Sequence, residues 1–478
     1  LSKGSIINGP AIIIDDTQTV LVDPASIATI LTNHIIIKVK NEEKAAISDE
    51  IVDPIVLSVF GHRFMSIAEQ MGKTLQQTSI STNIKERLDF SCAIFDHRGD
   101  LVANAPHVPI HLGAMSFAVK AQMKMWEGKL EPGDVLVSNH PQAGGSHLPD
   151  ITVITPVLDD YKRPIFWTAS RGHHADIGSI SAGSMPPDSK TIFQEGASIL
   201  TFKLCKNGKF DEEGITKLLL EEPAKHPGCV GTRALADNLS DLKAQVAANY
   251  KGISLLQRLI DEFSLKIINL YMKGIQDTAE LSVRNLLKDV FHKFAGKPLN
   301  AIDYLDDGTP IALTIDIDPK TGSAVFDFTK SGDEIYGNLN APTAILYSAV
   351  LYVLRSLINS DIPLNNGCLR PIEVLTRKGS VMNPSYEAAV VGGNVETTQR
   401  IVDVTLLAFQ AAAASQGTCN NFTFGSNDTK NGISFGYYET ICGGAGAGPT
   451  WDGQSVVQCH TTNTRITDVE VFEKRYPV

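Results

Sequence analysis

Two short segments concentrate residues that can bind a metal ion. Residues 144–150 read GGSHLPD, and residues 170–176 read SRGHHAD. Imidazole and carboxylate groups that arrive from two neighbouring loops can hold Mn, Fe, Zn or Mg and leave coordination positions open for a substrate. An isolated histidine is more often a structural residue, but several titratable groups in two adjacent loops favour a metal site. The candidate ligands are His147, Asp150, His173 and His174.

Further polar residues are candidates for catalysis. His140, in the sequence Ser-Asn-His-Pro, is a further ligand, a donor that fixes the tautomer of a ligand, or a loop histidine of no special role. Arg400 and Arg465 are candidate clamps for a carboxylate or a phosphate because guanidinium binds either one bidentately, unless each is half of a buried ion pair. Asp176 and Glu396 complete the candidate catalytic set.

A glycine run near the end of the chain is a weaker candidate for a phosphate site. Residues 443–448 read GGAGAG, and the backbone amides of Gly443, Gly444 and Gly446 could bind a phosphate. The run lacks the Lys-Ser/Thr that completes a P-loop, so it is a weak ATP site. A tight turn of closely packed backbone is the favoured alternative.

Composition excludes several classes of function. The chain has 478 residues, of which 43% are hydrophobic and 20% charged, as in an ordinary folded protein. Its formal net charge of −11 and its lack of a basic run argue against a nucleic-acid partner. The apolar stretches are too short and interrupted for a membrane span. The seven cysteines form no Cys-x-x-Cys pair, which argues against a zinc ribbon or a disulfide framework and for a reducing cytosol.

The periodicity of the sequence predicts strands that position the candidate ligands. Short β-branched runs separated by turn residues fill residues 1–45, and the polar stretch 40–50 reads as a linker. Buried strands are predicted at residues 135–138 and 151–154, on either side of the first cluster, and at 165–170, just before the second. Both clusters therefore lie at strand ends, where loops on a rigid sheet commonly carry sites.

Helical periodicity dominates other parts of the chain. Apolar side chains at helical spacing follow Asp53, and residues 235–270 carry them every three or four positions, which predicts a long helix or a helix pair. Residues 342–358 read as a buried helix. The fold class is therefore α+β, with mixed sheets and long helices preceded by a small β-rich segment.

A polar stripe runs along one face of the predicted helix in residues 235–270. Its members, at intervals of four, either line a cleft or face solvent, and the solvated face is the favoured interpretation. The stripe consists of Asp237, Asp241, Gln245 and Asn249.

Six blocks of sequence carry a resemblance to a known family: residues 86–92, 144–150, 170–178, 183–187, 392–400 and 463–468. They resemble the signatures of the hydantoinase B/oxoprolinase family, and the resemblance covers the chain from about residue 50 to its end. SNHP at 138–141 and GYYET at 436–440 favour the oxoprolinase branch over bacterial hydantoinase subunits. Residues 1–45 resemble the end of a hydantoinase A-like domain, and residues 46–478 resemble a hydantoinase B domain without its usual glycine- and arginine-rich continuation.

The resemblance implies a cytosolic enzyme that opens the lactam ring of 5-oxo-L-proline to give L-glutamate while ATP is cleaved to ADP and phosphate, in glutathione turnover. In the family, an actin-like hydantoinase A half binds ATP with Mg and phosphorylates the amide oxygen, and the B half hydrolyses the activated lactam. In related metal-containing carboxylases, a matching His-x-x-Asp and a later histidine hold the metal. Carried over, this assigns His147, Asp150 and His173, with His174 as the alternative third ligand. The implied partners are the A-like half and further copies of the chain.

Two departures limit what the resemblance implies. Where the family usually carries His-x-His-Met, residues 458–461 read QCHT, so one histidine is replaced and His460 remains. Because the ATP-binding half is absent, we expect this chain alone not to turn over 5-oxoproline. The alternatives are a hydantoinase or ketone carboxylase subunit with the same core, and an assembly module whose metal site is purely structural.

Overall fold

The structure, a computed structural model, describes residues 1–39, 47–105, 107–359, 362, 364–428 and 433–475. They form two units, Leu1–Ile51 and Val52–Val478. Residues 40–46 of the predicted linker fall outside the described residues. The assignment of the first unit to a hydantoinase A-like domain stays a prediction.

The first unit is built from short strands, as its β-branched runs predict. They are β1 (Ile6–Asn8), β2 (Ala11–Ile14), β3 (Thr19–Val22), β4 (Ser26–Ile30) and β5 (Ile35–Val39). β1, β4 and β5 form an antiparallel sheet, and β2 pairs with β3. Ile13, Val22 and Ala28 form a small core between them.

An antiparallel seven-stranded sheet is the centre of the second unit. Its strands are β6 (Phe90–Asp96), β7 (Leu101–Asn104), β8 (Val135–Ser138), β9 (Asp150–Leu158), β10 (Pro164–His173), β11 (Phe202–Lys206) and β12 (Lys209–Phe210). Their order across the sheet is β12-β11-β8-β9-β10-β6-β7. The three strands predicted around the ligand clusters are confirmed as β8, β9 and β10.

Helices cover both faces of this sheet. They are α1 (Pro54–Thr78), α2 (Thr82–Lys85), α3 (Pro109–Met125), α4 (Glu212–Leu220), α5 (Leu235–Phe263) and α6 (Leu265–Lys293). Alternate side chains of β10 point to opposite faces. Trp167 and Ala169 join the apolar cluster against α3, whereas the hydroxyls of Thr168 and Ser170 donate to backbone carbonyls of α5. The predicted helix pair is confirmed as α5 and α6.

The solvated interpretation of the polar stripe on α5 is wrong for three of its four members. Asp241, Gln245 and Asn249 are fully buried against the sheet, and only Asp237 stays partly exposed. Gln245 Nε2 donates to the carbonyls of Ile151 and Ser170, both at 3.0 Å. Asn249 Nδ2 donates to Val153 at 3.0 Å. The amides are buried because this face of the sheet offers carbonyl acceptors that need donors.

A second sheet carries the larger apolar core of the unit. Its strands are β13 (Leu299–Tyr304), β14 (Pro310–Asp318), β15 (Ser323–Asp327) and β16 (Ile372–Leu375). β15 and β16 are parallel and the other pairs antiparallel. The buried helix predicted at 342–358 is confirmed as α7 (Thr343–Leu357), and α8 (Thr397–Ala408) packs beside it.

The last part of the described chain contains short elements, and Tyr438 from one of them stacks on His173 at the end of β10. They are β17 (Asn421–Asp428), β18 (Ile433–Thr440), β19 (Gly443–Gly444), β20 (Ser455–Val457) and α9 (Val469–Arg475). The α+β fold class predicted from the sequence, with mixed sheets and long helices preceded in the chain by a small β-rich segment, is confirmed. Among the described residues, no helix combines the length and apolar character needed to cross a bilayer.

Candidate metal centre

Neighbouring strands of the large sheet bring the candidate ligands together. Asp150 opens β9 and His173 closes β10, and the antiparallel register pairs these two residues directly. β6 lies on the other side of β10, and the N–H of His173 donates to the carbonyl of Asp89 at 3.0 Å. His147 lies in the loop just before β9. The ends of three adjacent strands therefore meet at one point.

The geometry of the three ligand atoms fits a metal ion. Asp150 Oδ1 lies 3.2 Å from His147 Nε2 and 3.0 Å from His173 Nδ1, and the two ring nitrogens are 3.3 Å apart. Ligands held at about 2.0–2.1 Å from a tetrahedral metal lie about 3.3 Å from one another. All three side chains are buried. The three ligand atoms form a triangle, and one face of this triangle is turned towards a cavity.

Hydrogen bonds behind the histidines orient their rings. His147 Nδ1 lies 3.2 Å from the carbonyl of Val391, which can only accept, so in the neutral ring Nε2 presents its lone pair to the cluster. His173 Nε2 lies 2.7 Å from Ser184 Oγ. Metal-binding histidines are commonly fixed in this way. Burial disfavours the charged form of both imidazoles, and it lowers the pKa of His173. In His147, attraction to Asp150 outweighs burial, and the pKa is raised.

The second oxygen of Asp150 is held by two further groups. Oδ2 accepts from Ser146 Oγ at 2.6 Å and lies 3.2 Å from His111 Nε2, on the first turn of α3. Burial raises the pKa of Asp150, but His147 and His111 outweigh it and hold the pKa well below its usual range. The carboxylate is therefore ionised. The sequence does not point to His111, because the apolar VPIHLG around it carries no signal of a site.

A small cavity opens beside the three ligand atoms. Its volume is about 20 Å³, room for about one water molecule. The ring of Tyr438 stacks on that of His173 with 4.4 Å between centroids. Acidic, amide, hydroxyl and thiol groups complete its polar wall: Asp89, Asn394, Cys419, Thr440, Thr461 and Thr462.

Comparison with known proteins supports the resemblance that the sequence blocks predict. A profile of the Hydantoinase B/oxoprolinase family matches residues 53–478. The chain belongs to this family. It is 55% identical to 5-oxoprolinase 1 of Arabidopsis thaliana and 53% identical to the 5-oxoprolinase of Saccharomyces cerevisiae, with 100% of this chain and 38% of each relative aligned. The chain thus spans less than two fifths of the length of these relatives.

A solved structure of another protein has a similar fold. The crystal structure of ATP-dependent caprolactamase from Pseudomonas jessenii superposes with a TM-score of 0.77 at 26% sequence identity. The superposition covers 90% of this chain and 74% of that chain. The fold of this chain is therefore shared with a protein named caprolactamase.

The structure does not bring the other candidate histidines to the centre. His174 is buried with its ring nitrogens 3.1 Å from Asn238 Nδ2 and 3.3 Å from Gln245 Oε1. His140 caps a short 3-10 helix by accepting from the N–H of Gln142. Burial lowers the pKa of His140 to about 4. Of the two alternatives for the third ligand, only His173 lies with His147 and Asp150.

Two candidate acidic residues lie away from the ligand atoms and bond to other groups. Asp176 forms a buried ion pair with Arg233 at 3.0 Å and accepts from the N–H groups of Gly178 and Gly183. Burial is the main cause that raises its pKa. Glu396 Oε1 accepts from Thr418 Oγ1 at 2.7 Å. Neither side chain lines the cavity beside the ligand atoms.

The candidate arginines and glycines also lie outside the cavity wall. Arg400 pairs with Asp303 at 2.9 Å, but this ion pair is partly exposed and not the buried pair of the alternative; Arg465 is exposed. In the glycine run, the amide of Gly444 donates to Gln416 Oε1 at 2.8 Å. Gly446 packs so tightly that an added Cβ would lie 2.0 Å from the carbonyl of Ala413. This geometry matches the tight-turn alternative.

Glu195 is a buried carboxyl behind the centre that the sequence analysis did not single out. Its Oε1 accepts from the N–H groups of Val390 and Val391, both at 2.9 Å, and its Oε2 has no hydrogen-bond partner in the described part of the chain. Because the carbonyl of Val391 binds His147, Glu195 braces the segment that orients a ligand. Burial raises the pKa of Glu195 to about 8.

Glu195→Gln should flatten the dependence of stability on pH. The pKa of about 8 in the folded chain lies above the ordinary value of 4.5, so this group stabilises the fold fully below pH 4.5 and loses that contribution as pH rises through 8. Each pKa unit corresponds to about 1.4 kcal/mol, so the loss is at most about 5 kcal/mol. Urea unfolding midpoints between pH 5 and pH 9 measure it. Glu213→Gln, at an exposed position, is the control. The prediction is wrong if the unfolding midpoint of the wild type does not fall with rising pH relative to that of Glu195→Gln.

His173→Asn should release a bound divalent metal, and His174→Asn should retain it. The two rings are adjacent in sequence and 2% and 1% exposed, but only His173 faces Asp150. Elemental analysis after incubation with Zn or Mn, with circular dichroism to verify folding, measures the metal per chain. We expect at least tenfold weaker metal affinity in His173→Asn. If His173→Asn retains as much metal as His174→Asn and the wild type, His173 is not a ligand.

Proposed function

We propose that this chain is the lactam-hydrolysing part of an ATP-dependent 5-oxoprolinase, acting on 5-oxo-L-proline to give L-glutamate. The observation that carries the proposal is the buried triangle of His147, Asp150 and His173, whose lone pairs converge beside a cavity. Similarity over the whole of this chain to proteins named 5-oxoprolinase supports the substrate. The similarity to a caprolactamase supports cyclic amides as the substrate class.

His147, Asp150 and His173 would hold the metal in this proposal. Two imidazoles with one carboxylate suit Zn, Mn or Fe better than Mg, which prefers oxygen ligands. Such an ion, when bound, lowers the pKa of water and polarises a carbonyl group. His111 and Ser146 hold the carboxylate of Asp150 in its orientation, and Val391 and Ser184 hold the two rings.

The chemistry of the amide explains why a second half is required. An unactivated lactam is a poor electrophile, so a hydantoinase A-like half that binds ATP and Mg would first phosphorylate its oxygen. Addition of water to that carbon and cleavage of the ring C–N bond then give an acyl phosphate, and a second water releases phosphate and glutamate. His147, Asp150 and His173 are buried, which limits the access of bulk water to a reactive intermediate held beside them. The proposal includes a role in glutathione turnover, as part of a larger assembly in the cytosol.

The proposal is tested by supplying the A-like half as a separate polypeptide with ATP and 5-oxo-L-proline. We expect equal amounts of glutamate and ADP, and a loss of at least 100-fold in glutamate formation for Asp150→Asn, which removes a charged ligand. Coupled assays of glutamate and ADP measure both products. Asp188→Asn, an exposed position in the loop beyond β10, is the matched control.

Other products would redirect the proposal. Turnover of hydantoin in place of 5-oxoproline would assign a hydantoinase subunit, and carboxylation of a ketone would assign a carboxylase. Unchanged glutamate formation in Asp150→Asn would contradict the role of this site. An assembly that forms and binds metal but turns over none of these substrates would support the assembly module.

A further inference from the structure

Asn394 is a buried polar residue in the wall of the cavity beside the ligand atoms. It is 3% exposed and lies in the turn just before α8. Its Oδ1 is buried and has no hydrogen-bond partner in the described part of the chain. Among the described residues that line the cavity, no other has a buried side-chain atom in this state. The chain therefore leaves a hydrogen-bonding group unsatisfied at this point.

The other end of the carboxamide of Asn394, Nδ2, is also free. It makes no hydrogen bond to a residue that the structure describes, but unlike Oδ1 it is not fully covered. Because Asn394 lines the cavity, Nδ2 is the end of the side chain that reaches it. A carboxamide rotated by half a turn keeps nearly the same shape, so this side chain can offer the cavity a donor or an acceptor.

The turn that carries Asn394 also orients a candidate ligand. The carbonyl of Val391 lies 3.2 Å from His147 Nδ1, three residues before Asn394. Gly393, within the same turn, packs so closely that an added Cβ would lie 2.1 Å from the carbonyl of Asn340. This close packing fixes the position of Asn394 relative to His147.

The size of the cavity and its polar groups fit a water molecule. A volume of about 20 Å³ has room for about one water, and a buried water needs at least two polar partners. Asn394 supplies one. The carboxylate of Asp89, which also lines the cavity and bonds to no described residue, can accept from the same water. Without a water, the buried carboxamide would be left unpaired, which is unfavourable.

We propose that Asn394 positions a water molecule beside His147, Asp150 and His173. The inference rests on the proposed function, in which water adds to the activated lactam carbon. Asn394 acts as a positioning residue, because a neutral carboxamide does not take up the proton of water but its hydrogen bond fixes the place of the oxygen. A reactant held in one place reacts faster than one that is free to move.

Crystal structures of the full 478-residue chain, grown with Zn or Mn, test the position of the water. In the wild type we expect an ordered water at about 2.7–3.2 Å from the carboxamide of Asn394. Asn394→Leu keeps the size of the side chain but removes its hydrogen bond, so we expect the water to be lost and the metal to be retained. Asn285→Leu, at an exposed position of α6, is the matched control and should keep the water.

The kinetics of glutamate formation test whether the positioned water is the one that reacts. With the A-like half, ATP and 5-oxo-L-proline supplied, we expect kcat to fall about tenfold or more in Asn394→Leu, with KM unchanged. The reason is that the variant loses a contact to the attacking water and none to the bound substrate. An unchanged kcat in a variant that has lost the water, or a change in KM alone, would overturn the inference.

The crystallographic outcomes separate this inference from the proposed function. A water that is present in the wild type and lost in Asn394→Leu supports the water site even where the wild type forms no glutamate, and that combination contradicts the proposed function alone. The inference is overturned if the wild type has no ordered water at Asn394, if its carboxamide binds the metal directly, or if the water stays in Asn394→Leu. Asn394→Val takes the place of Asn394→Leu if the latter does not fold.

Discussion

The direct pairing of Asp150 with His173 across β9 and β10 is the constraint on which the rest of the centre depends. Side chains alternate along a strand, so a slip of one residue would turn one of the two away from the other. The register is fixed because this pair of strands is buried between α3 and α5. The loop that adds His147 is equally constrained, since a Cβ on Gly145 would lie 1.9 Å from the carbonyl of Asn139. The centre is therefore preorganised by the packing of the sheet.

Those parts of the fold that depend on local sequence could be predicted. β-Branched runs marked β8, β9 and β10, and helical spacing marked α5 and α6, because secondary structure leaves a periodic pattern in the residues that form it. The proximity of His147 and Asp150 follows from their spacing of three. The proximity of the second cluster follows once the two consecutive strands β9 and β10 are taken as an antiparallel pair. The sequence does not give the register of this pair, so it could not show which of His173 and His174 faces Asp150.

The remaining contributors come from distant parts of the chain and leave no local pattern. His111 reaches Asp150 from a helix whose sequence is apolar around it, and His147 Nδ1 bonds to the carbonyl of Val391, 244 residues away in sequence. The burial of the polar stripe on α5 could not be predicted for the same reason, because whether Gln245 faces water or a sheet depends on what packs against it. Polar residues at both places are buried because distant backbone or side-chain groups supply their partners.

The central claim is that a divalent metal binds between strand ends on ligands that the fold has already aligned. Anomalous X-ray diffraction from crystals of the chain grown with Zn or Mn tests it most directly. The account predicts one buried anomalous peak about 2.0–2.2 Å from His147 Nε2, His173 Nδ1 and Asp150 Oδ1. A chain that takes up no metal at this position, or a peak coordinated by His174 or by surface residues instead, would contradict it.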